Sequence, residues 1–200
     1  MLQVTAAVLL LLFIHCQALD VKVQENFDTS KFVGKWFGVI AASNCEMFRK
    51  MKKDMTLPTI MYATDGHSVK NSVAFMTTKG CQQMDANMNV VASGHYTHHS
   101  DHGDDEVIIA NTDYNSYAMV YRRTTNKDGT CITLNLNGRE MKVAEDLKKH
   151  FIEHVHQMGL KDEDILIFQK GGTWGGGGAA ENHFSKNQID GDCKERKYNM

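Results

Sequence analysis

"FVGKWFGVIAASNCEMFRK", residues 32–50, is the stretch that decides the fold. Gly34 and Trp36 open an apolar run that ends near Ser43, the composition of a strand with at least one buried face. Cys45 stands where that strand should stop. It is either a reactive thiol or one half of a disulfide, and the choice depends on what the rest of the chain builds.

Residues 1–18, "MLQVTAAVLLLLFIHCQA", carry no charged side chain and have an apolar core from Val4 to Ile14. Cys16 and Ala18 fit the −3 and −1 positions of a cleavage after Ala18, so the segment reads as a secretory signal peptide despite lacking basic residues at its start. The run is short for a membrane span, and no later run approaches ~20 apolar residues. A secreted, extracellular protein is expected. The 22 basic and 24 acidic side chains nearly cancel, and no basic block with interleaved aromatics appears, so nucleic acid is not an expected partner. No Asn-x-Ser/Thr acceptor for glycosylation is present. Of the five cysteines, Cys16 departs with the leader, leaving Cys45, Cys81, Cys131 and Cys193. An even count in an exported chain, with no CxxC pair, favours disulfides over a metal site, and three connectivities remain open.

From Gly34 to about Arg139 the chain reads as short strands: "KWFGVIAAS", "LPTIMYAT", "SVKNSVAFMTT", "NMNVVASGHY", "DEVIIANT", "SYAMVYRRT" and "TCITLNLN". "DGH", "KGC", "SDHGDD", "DYN" and "NKDG" between them are turn signals. Strands at this spacing without intervening helices predict an antiparallel meander, and closing it into an up-and-down barrel removes its edges. Pro58 falls at the start of the second run, where a missing N–H is tolerable. "KVAEDLKKHFIEHVHQMGL" then sets Val143, Leu147, Phe151, Ile152 and Val155 on one stripe and predicts a helix stopped by Gly159, lying on the outside of the barrel. "DILIF" predicts a short extra strand, and the glycine-rich tail from Lys170 predicts mobility up to Cys193.

"GKW" at Gly34–Trp36, "NTDY" at Asn111–Tyr114 followed by "YAMVY", and "LNGR" ending at Arg139 resemble, in order and spacing, the three short motifs of the lipocalins. The resemblance covers roughly residues 25–169. Within that family "VQENFDTSKFVGKW" and "SNCEMFRKMKKDMT" are similar to the alpha-1-microglobulin branch, and "TDYNSYAMVY" to the prostaglandin D synthase and fatty-acid-binding branches. The resemblance implies an all-β fold: an eight-stranded antiparallel barrel over residues 19–169, with one C-terminal α-helix packed outside and a small apolar ligand inside. It implies a floor made by Gly34, Trp36 and Arg139, the guanidinium lying over the indole. It also matches Cys81 and Cys193 to the bridge that ties the 170–200 tail to the barrel wall.

The expected function is a secreted carrier or scavenger of a small hydrophobic molecule, monomeric and without catalytic turnover. No cofactor is required, and haem or another small apolar compound is the candidate ligand. Prostaglandin D synthase activity needs a cysteine where this chain has Met55, Thr56, Leu57 and Pro58, so an enzyme is not expected. The alternative is a thiol-dependent haem or radical scavenger with weak reductase activity, resembling alpha-1-microglobulin. Cys45 matches its reactive thiol, with Arg122, Arg123 and Lys127 near the mouth but Thr124 and Asn135 where two lysines would align. A covalent partner joined through Cys45 is a third possibility. Candidate pocket and mouth residues are Ile40, Met47, Met51, Met55, Met61, Tyr121, Thr133 and Asn135, the methionines offering a pliable apolar lining. "GHYTHHSDHGDD" gathers His95, His98, His99 and His102 with Asp101, Asp104 and Asp105; without a fixed ligand spacing it reads as an exposed, metal-free hairpin turn. His150 and His154, four apart on the helix, lack a third ligand and read as a solvated face.

With Trp36 opposite Arg139, as the motifs imply, antiparallel pairing of the first and eighth strands sets Cys45 opposite position 130. That is one residue from Cys131. A bridge between Cys45 and Cys131 is therefore expected, an offset or a bulge accounting for the difference.

Overall fold

Asp28 accepts the Ser30 N–H at 3.0 Å and starts a single helical turn, α1 (Thr29–Phe32), from which the chain enters β1 (Gly34–Ser43). The computed structural model describes residues 21–168, apart from Lys79 and His102. Strand β1 leads through α2 (Glu46–Met51) to β2 (Thr59–Thr64), β3 (Ser68–Thr77), β4 (Gly80–Ala92), β5 (His95–Ser100), β6 (Gly103–Thr112), β7 (Tyr117–Asn126) and β8 (Gly129–Gly138). Helix α3 (Glu145–Gln157) and the short β9 (Ile165–Ile167) follow. Each of the first eight strands pairs antiparallel with the next, and β8 returns to β1, closing an eight-stranded up-and-down barrel. The expected signal peptide, Trp174 and the Cys193 half of the expected Cys81–Cys193 bridge lie outside the described residues.

Strand direction defines two ends. The floor carries α1, Arg139 and the turns at 65–67, 93–94 and 113–116; the mouth carries α2 and the β3–β4, β5–β6 and β7–β8 turns. One edge of β1 is shared: Gly34–Phe37 pair with β2, whereas Ile40–Ala42 pair with β9. Strand β9 thus covers the upper edge that β2 leaves open.

The run "NMNVVASGHY" is not one strand. Ser93 and Gly94 turn the chain between Ala92 and His95, which separates β4 from β5 and supplies the eighth strand. The polar stretch after it is extended rather than a turn. His98 and His99 belong to β5 and pair with Asp105 and Asp104 of β6. Cross-strand pairing outweighs polar composition here, because any side chain can face solvent from an antiparallel strand.

A bulge between Gly38 and Ile40 shifts the β1–β8 register by one residue. Phe37 lies opposite Gly138 before it, and Ser43 lies opposite Thr133 after it. Because side chains alternate with period two, the extra residue exchanges the two faces of β1. Trp36 faces inward, and so does Ala41, while Ile40 faces out. Gly38 itself must be small: a Cβ there would lie 2.6 Å from Pro58 Cγ, and its N–H donates to the Pro58 carbonyl at 3.0 Å.

Two apolar clusters follow from this alternation. Phe27, Phe32, Trp36, Ile60, Tyr62, Val69, Met88, Tyr96, Val107 and Val120 fill the lower barrel. Ile40, Ala42, Ile108, Tyr121, Leu134 and Leu136, on the outer face, meet Phe151 and Val155 of α3. Val143, Leu147 and Ile152 pack at the margin of the same cluster, so the expected stripe is the buried face. Gly159 at φ +81° follows the helix end. Phe151→Ala would empty a fully buried ring at this joint and should lower unfolding stability by about 3–5 kcal/mol, read as a shifted midpoint in urea.

Candidate functional site

The floor is organised by Arg139. Its guanidinium stacks 3.7 Å from the Trp36 ring centroid. Its N–H groups reach five backbone carbonyls: Tyr114 from Nε at 2.9 Å, Lys35 from Nη1 at 3.0 Å, and Lys31, Phe32 and Val33 from Nη2 at 3.0–3.2 Å. Three of these are the carbonyls at the C-terminal end of α1, which have no helical partner. Trp36 is fully buried and donates from Nε1 to the Phe32 carbonyl at 2.9 Å, with the Phe32 ring centroid 5.3 Å from its own. Asp113 of the "NTDY" motif ties the adjacent turn by accepting the N–H groups of Asn115, Ser116 and Tyr117. Burial pushes its carboxyl up, but these bonds and the Ser116 hydroxyl outweigh it and hold the group below the usual carboxylate range.

At the mouth, Cys45 is bonded to Cys131 with Cα atoms 5.1 Å apart. The bulge at Gly38 supplies the missing residue: beyond it the register carries Cys45 opposite Cys131. Cys45 is therefore not a free thiol, and the thiol-dependent scavenger and the covalent partner through Cys45 lose their reactive group. Helix α2 is held to the segment just before β9 by Arg49, which donates from Nε and Nη2 to Asp164 Oδ1 at 3.0 and 2.6 Å. Burial raises the Asp164 carboxyl, and the Lys161 N–H, Arg49 and Lys52 more than reverse this, leaving it below its ordinary value. Met55 and Leu57, in the segment where a synthase would need its cysteine, pack with Phe48 on Ala41, Leu166 and Phe168.

The inner face changes character with height. Above the floor cluster lie small or polar residues: Ala41 and Ser43 of β1, Thr124 of β7, and Thr133 and Asn135 of β8. Ala41 and Ser43 are buried, whereas Thr124, Thr133 and Asn135 are partly exposed. Met84 pairs with Val73 on this inner face and remains 44% exposed. Arg122, between Val107 and Thr133, also points inward, with Nη1 4.0 Å from Asp105 Oδ2. Asp105 Oδ1 accepts the Thr124 hydroxyl at 2.6 Å. Tyr62 and Asn71 are direct cross-strand neighbours lower down. Burial pushes the Tyr62 hydroxyl up to about 12 even though Arg122 pulls it down.

Of the expected pocket residues, Thr133 and Asn135 lie on the inner face. Ile40 and Tyr121 do not; both pack outside under α3. The bulge inverts β1 beyond Gly38, and Tyr121 follows as the neighbour of Leu134. Met61 pairs with Lys35, facing outward at 40% exposure, and Met47 is exposed on α2. Met51 ends α2 and is half-buried. Alternation places Met61 outside because Ile60 and Tyr62, its neighbours, face in. The basic mouth residues are split as well, Arg122 inside and Arg123 outside, where Arg123 and His95 meet Glu106 at 2.6 and 2.9 Å. Arg123, Glu106 and His99, which is paired with Asp104, line a polar groove of about 460 Å³. No group of three or more metal-ligating side chains occurs among the described residues. Asn71 and Met84 were not singled out in the sequence, although Asn71 interrupts the apolar stripe Val69, Val73, Phe75, a signal that points to it; Arg122 and Asp105 were, but as a mouth residue and a hairpin carboxylate rather than as partners inside the barrel.

A closed eight-stranded barrel with an arginine–tryptophan floor and one helix outside defines a calyx protein. A family model described as the lipocalin / cytosolic fatty-acid binding protein family matches residues 33–172. The chain belongs to the lipocalin family. It is 39% identical over 168 residues to an olfactory protein of Lithobates pipiens, covering 84% of this chain and 95% of that one. It is 30% identical to Protein AMBP of Bos taurus over 153 residues, which are 74% of this chain and 44% of that one. The solved siderocalin Ex-FABP shares the fold at a TM-score of 0.60 and 22% identity, covering 70% of this chain and 91% of that one.

Two outcomes test the floor and the rim. Arg139→Lys replaces a planar fork by a single point donor and leaves several carbonyls without a partner, so unfolding stability should fall by about 2–4 kcal/mol. The paired change Cys45→Ser with Cys131→Ser releases a loop spanning 86 positions, worth up to about 4–5 kcal/mol in the chain-entropy model. Thiol titration of unfolded, unreduced protein should find neither cysteine alkylated; two thiols mapped to these positions would contradict the bridge.

Proposed function

We propose that the protein is a secreted carrier or scavenger of a small hydrophobic ligand held in the calyx, with no catalytic turnover. One observation carries this: an inner face that is apolar and packed at the floor but built of small residues toward the mouth, where inward-facing Met84 stays accessible. Such a lining receives a molecule with one apolar body and few polar atoms. The apolar leader at residues 1–18 and the Cys45–Cys131 bridge support export to an oxidising compartment. The bridge also removes the thiol on which the scavenger alternative relies. No cofactor enters this function.

Trp36 lies beneath the calyx and should report its filling. Retinol or a fluorescent fatty-acid analogue should quench Trp36 emission with a Kd of about 1 μM or tighter, near −8 kcal/mol. Trp36→Phe with Trp174 retained should abolish the quench while binding, followed by probe fluorescence, persists. Probe fluorescence unchanged by protein across retinoid, fatty-acid and haem ligands would rule out a carrier.

A further inference from the structure

The calyx interior is not uniformly apolar, and its polar groups differ in whether they already have partners. Arg122, Asp105 and His98 do. Arg122 faces Asp105 across 4.0 Å, and Asp105 is held in place by the Thr124 hydroxyl. His98, cross-strand from Asp105, is tied through Nδ1 to the Asn87 carbonyl at 2.9 Å. Among the neutral ones the Ser43, Thr124 and Thr133 hydroxyls are bonded, but two amides are not fully satisfied. Asn71 is only 3% exposed, yet its Nδ2 has no hydrogen-bond partner among the described residues. Asn137, opposite Gly38 and Ala118 on the inner face and 1% exposed, likewise lacks a donor for its Oδ1. Buried polar groups are rarely left in this state without a water or ligand to complete them. Tyr62, the direct cross-strand neighbour of Asn71 and 5% exposed, adds a hydroxyl on the same face.

We propose that the calyx prefers a neutral, oxygen-bearing apolar molecule, an alcohol or carbonyl compound, over the corresponding carboxylate, with Asn71 and Tyr62 receiving its oxygen. The proposal rests on the carrier function above and adds the ligand's charge class. The opposite charges of Arg122 and Asp105 cancel. A ligand carboxylate entering beside them would bring an uncompensated negative charge into a poorly solvated interior, facing Asp105 as well as Arg122. A hydroxyl or carbonyl oxygen accepts from the Asn71 amide without that cost.

The test is competitive titration at pH 8, where the acids are ionised and free imidazole is uncharged. Retinol is compared with retinoate, and 1-decanol with decanoate, following Trp36 quenching. Wild-type protein should bind the alcohol of each pair roughly ten-fold more tightly than the acid. Asp105→Asn removes the counter-charge from Arg122 and should reverse the order by strengthening the acids. Asn71→Val should weaken the alcohols and leave the acids unchanged, with thermal unfolding confirming that the barrel is intact. Equal or tighter acid binding by wild-type protein overturns the charge preference, as does an Asp105→Asn variant with unaltered acid affinity. Unchanged alcohol affinity in Asn71→Val overturns the assignment of Asn71. Failure of all four ligands to bind overturns the carrier function itself, a result distinct from binding with the wrong preference.

Discussion

Closure of β1 onto β8, with one extra residue on β1, is the constraint on which the rest depends. Without closure the meander would expose two long edges. Without the extra residue Cys45 would fall opposite position 130, and the rim could not be joined at 5.1 Å. The same residue turns Ile40 and Ala42 outward, creating with Leu134 and Leu136 the apolar surface that α3 covers. A local irregularity therefore sets three features at once: the rim tether, the seat of the helix and the identity of the inner face. Gly38 permits it because Pro58 occupies the space a side chain would need.

The two ends of the barrel are held by different physics. At the floor, Arg139 combines stacking on Trp36 with hydrogen bonds to carbonyls from α1, β1 and the 113–116 turn, so one side chain joins segments distant in sequence. Its polar atoms are nearly all engaged, which makes the floor rigid and closed. At the mouth the disulfide and the Arg49–Asp164 pair fix only points on the rim. Between them the wall carries small side chains and a few polar groups, some without partners. A rigid floor and a less tightly tied mouth suit the carrier function proposed above.

The motifs around Trp36, Asp113 and Arg139 made the barrel legible, because each answers a local demand. Tryptophan fills the floor, aspartate accepts the N–H groups of a tight turn, and arginine satisfies the carbonyls of α1. The helix was equally legible, since Phe151 and Val155 recur with the period of one buried stripe. The relation between Cys45 and Cys131 could be approached to within one residue, because antiparallel register propagates along both strands from a single contact.

What the sequence alone determined is the antiparallel meander and its order, short of the split that makes β4 and β5 from one run, together with the floor and the presence of a helix: properties carried by spacing and by residue types with few alternative uses. Tertiary structure decided which side chains line the calyx. Ile40, Tyr121 and Met61 are apolar or aromatic enough for a pocket, yet they face outward, while Asn71, Asp105 and Arg122 are polar and face in. Composition cannot separate these cases, because a strand presents both faces and one bulged residue exchanges them. That exchange is settled only when β1 meets β8, about a hundred residues later in the chain, and with it the chemistry the ligand encounters.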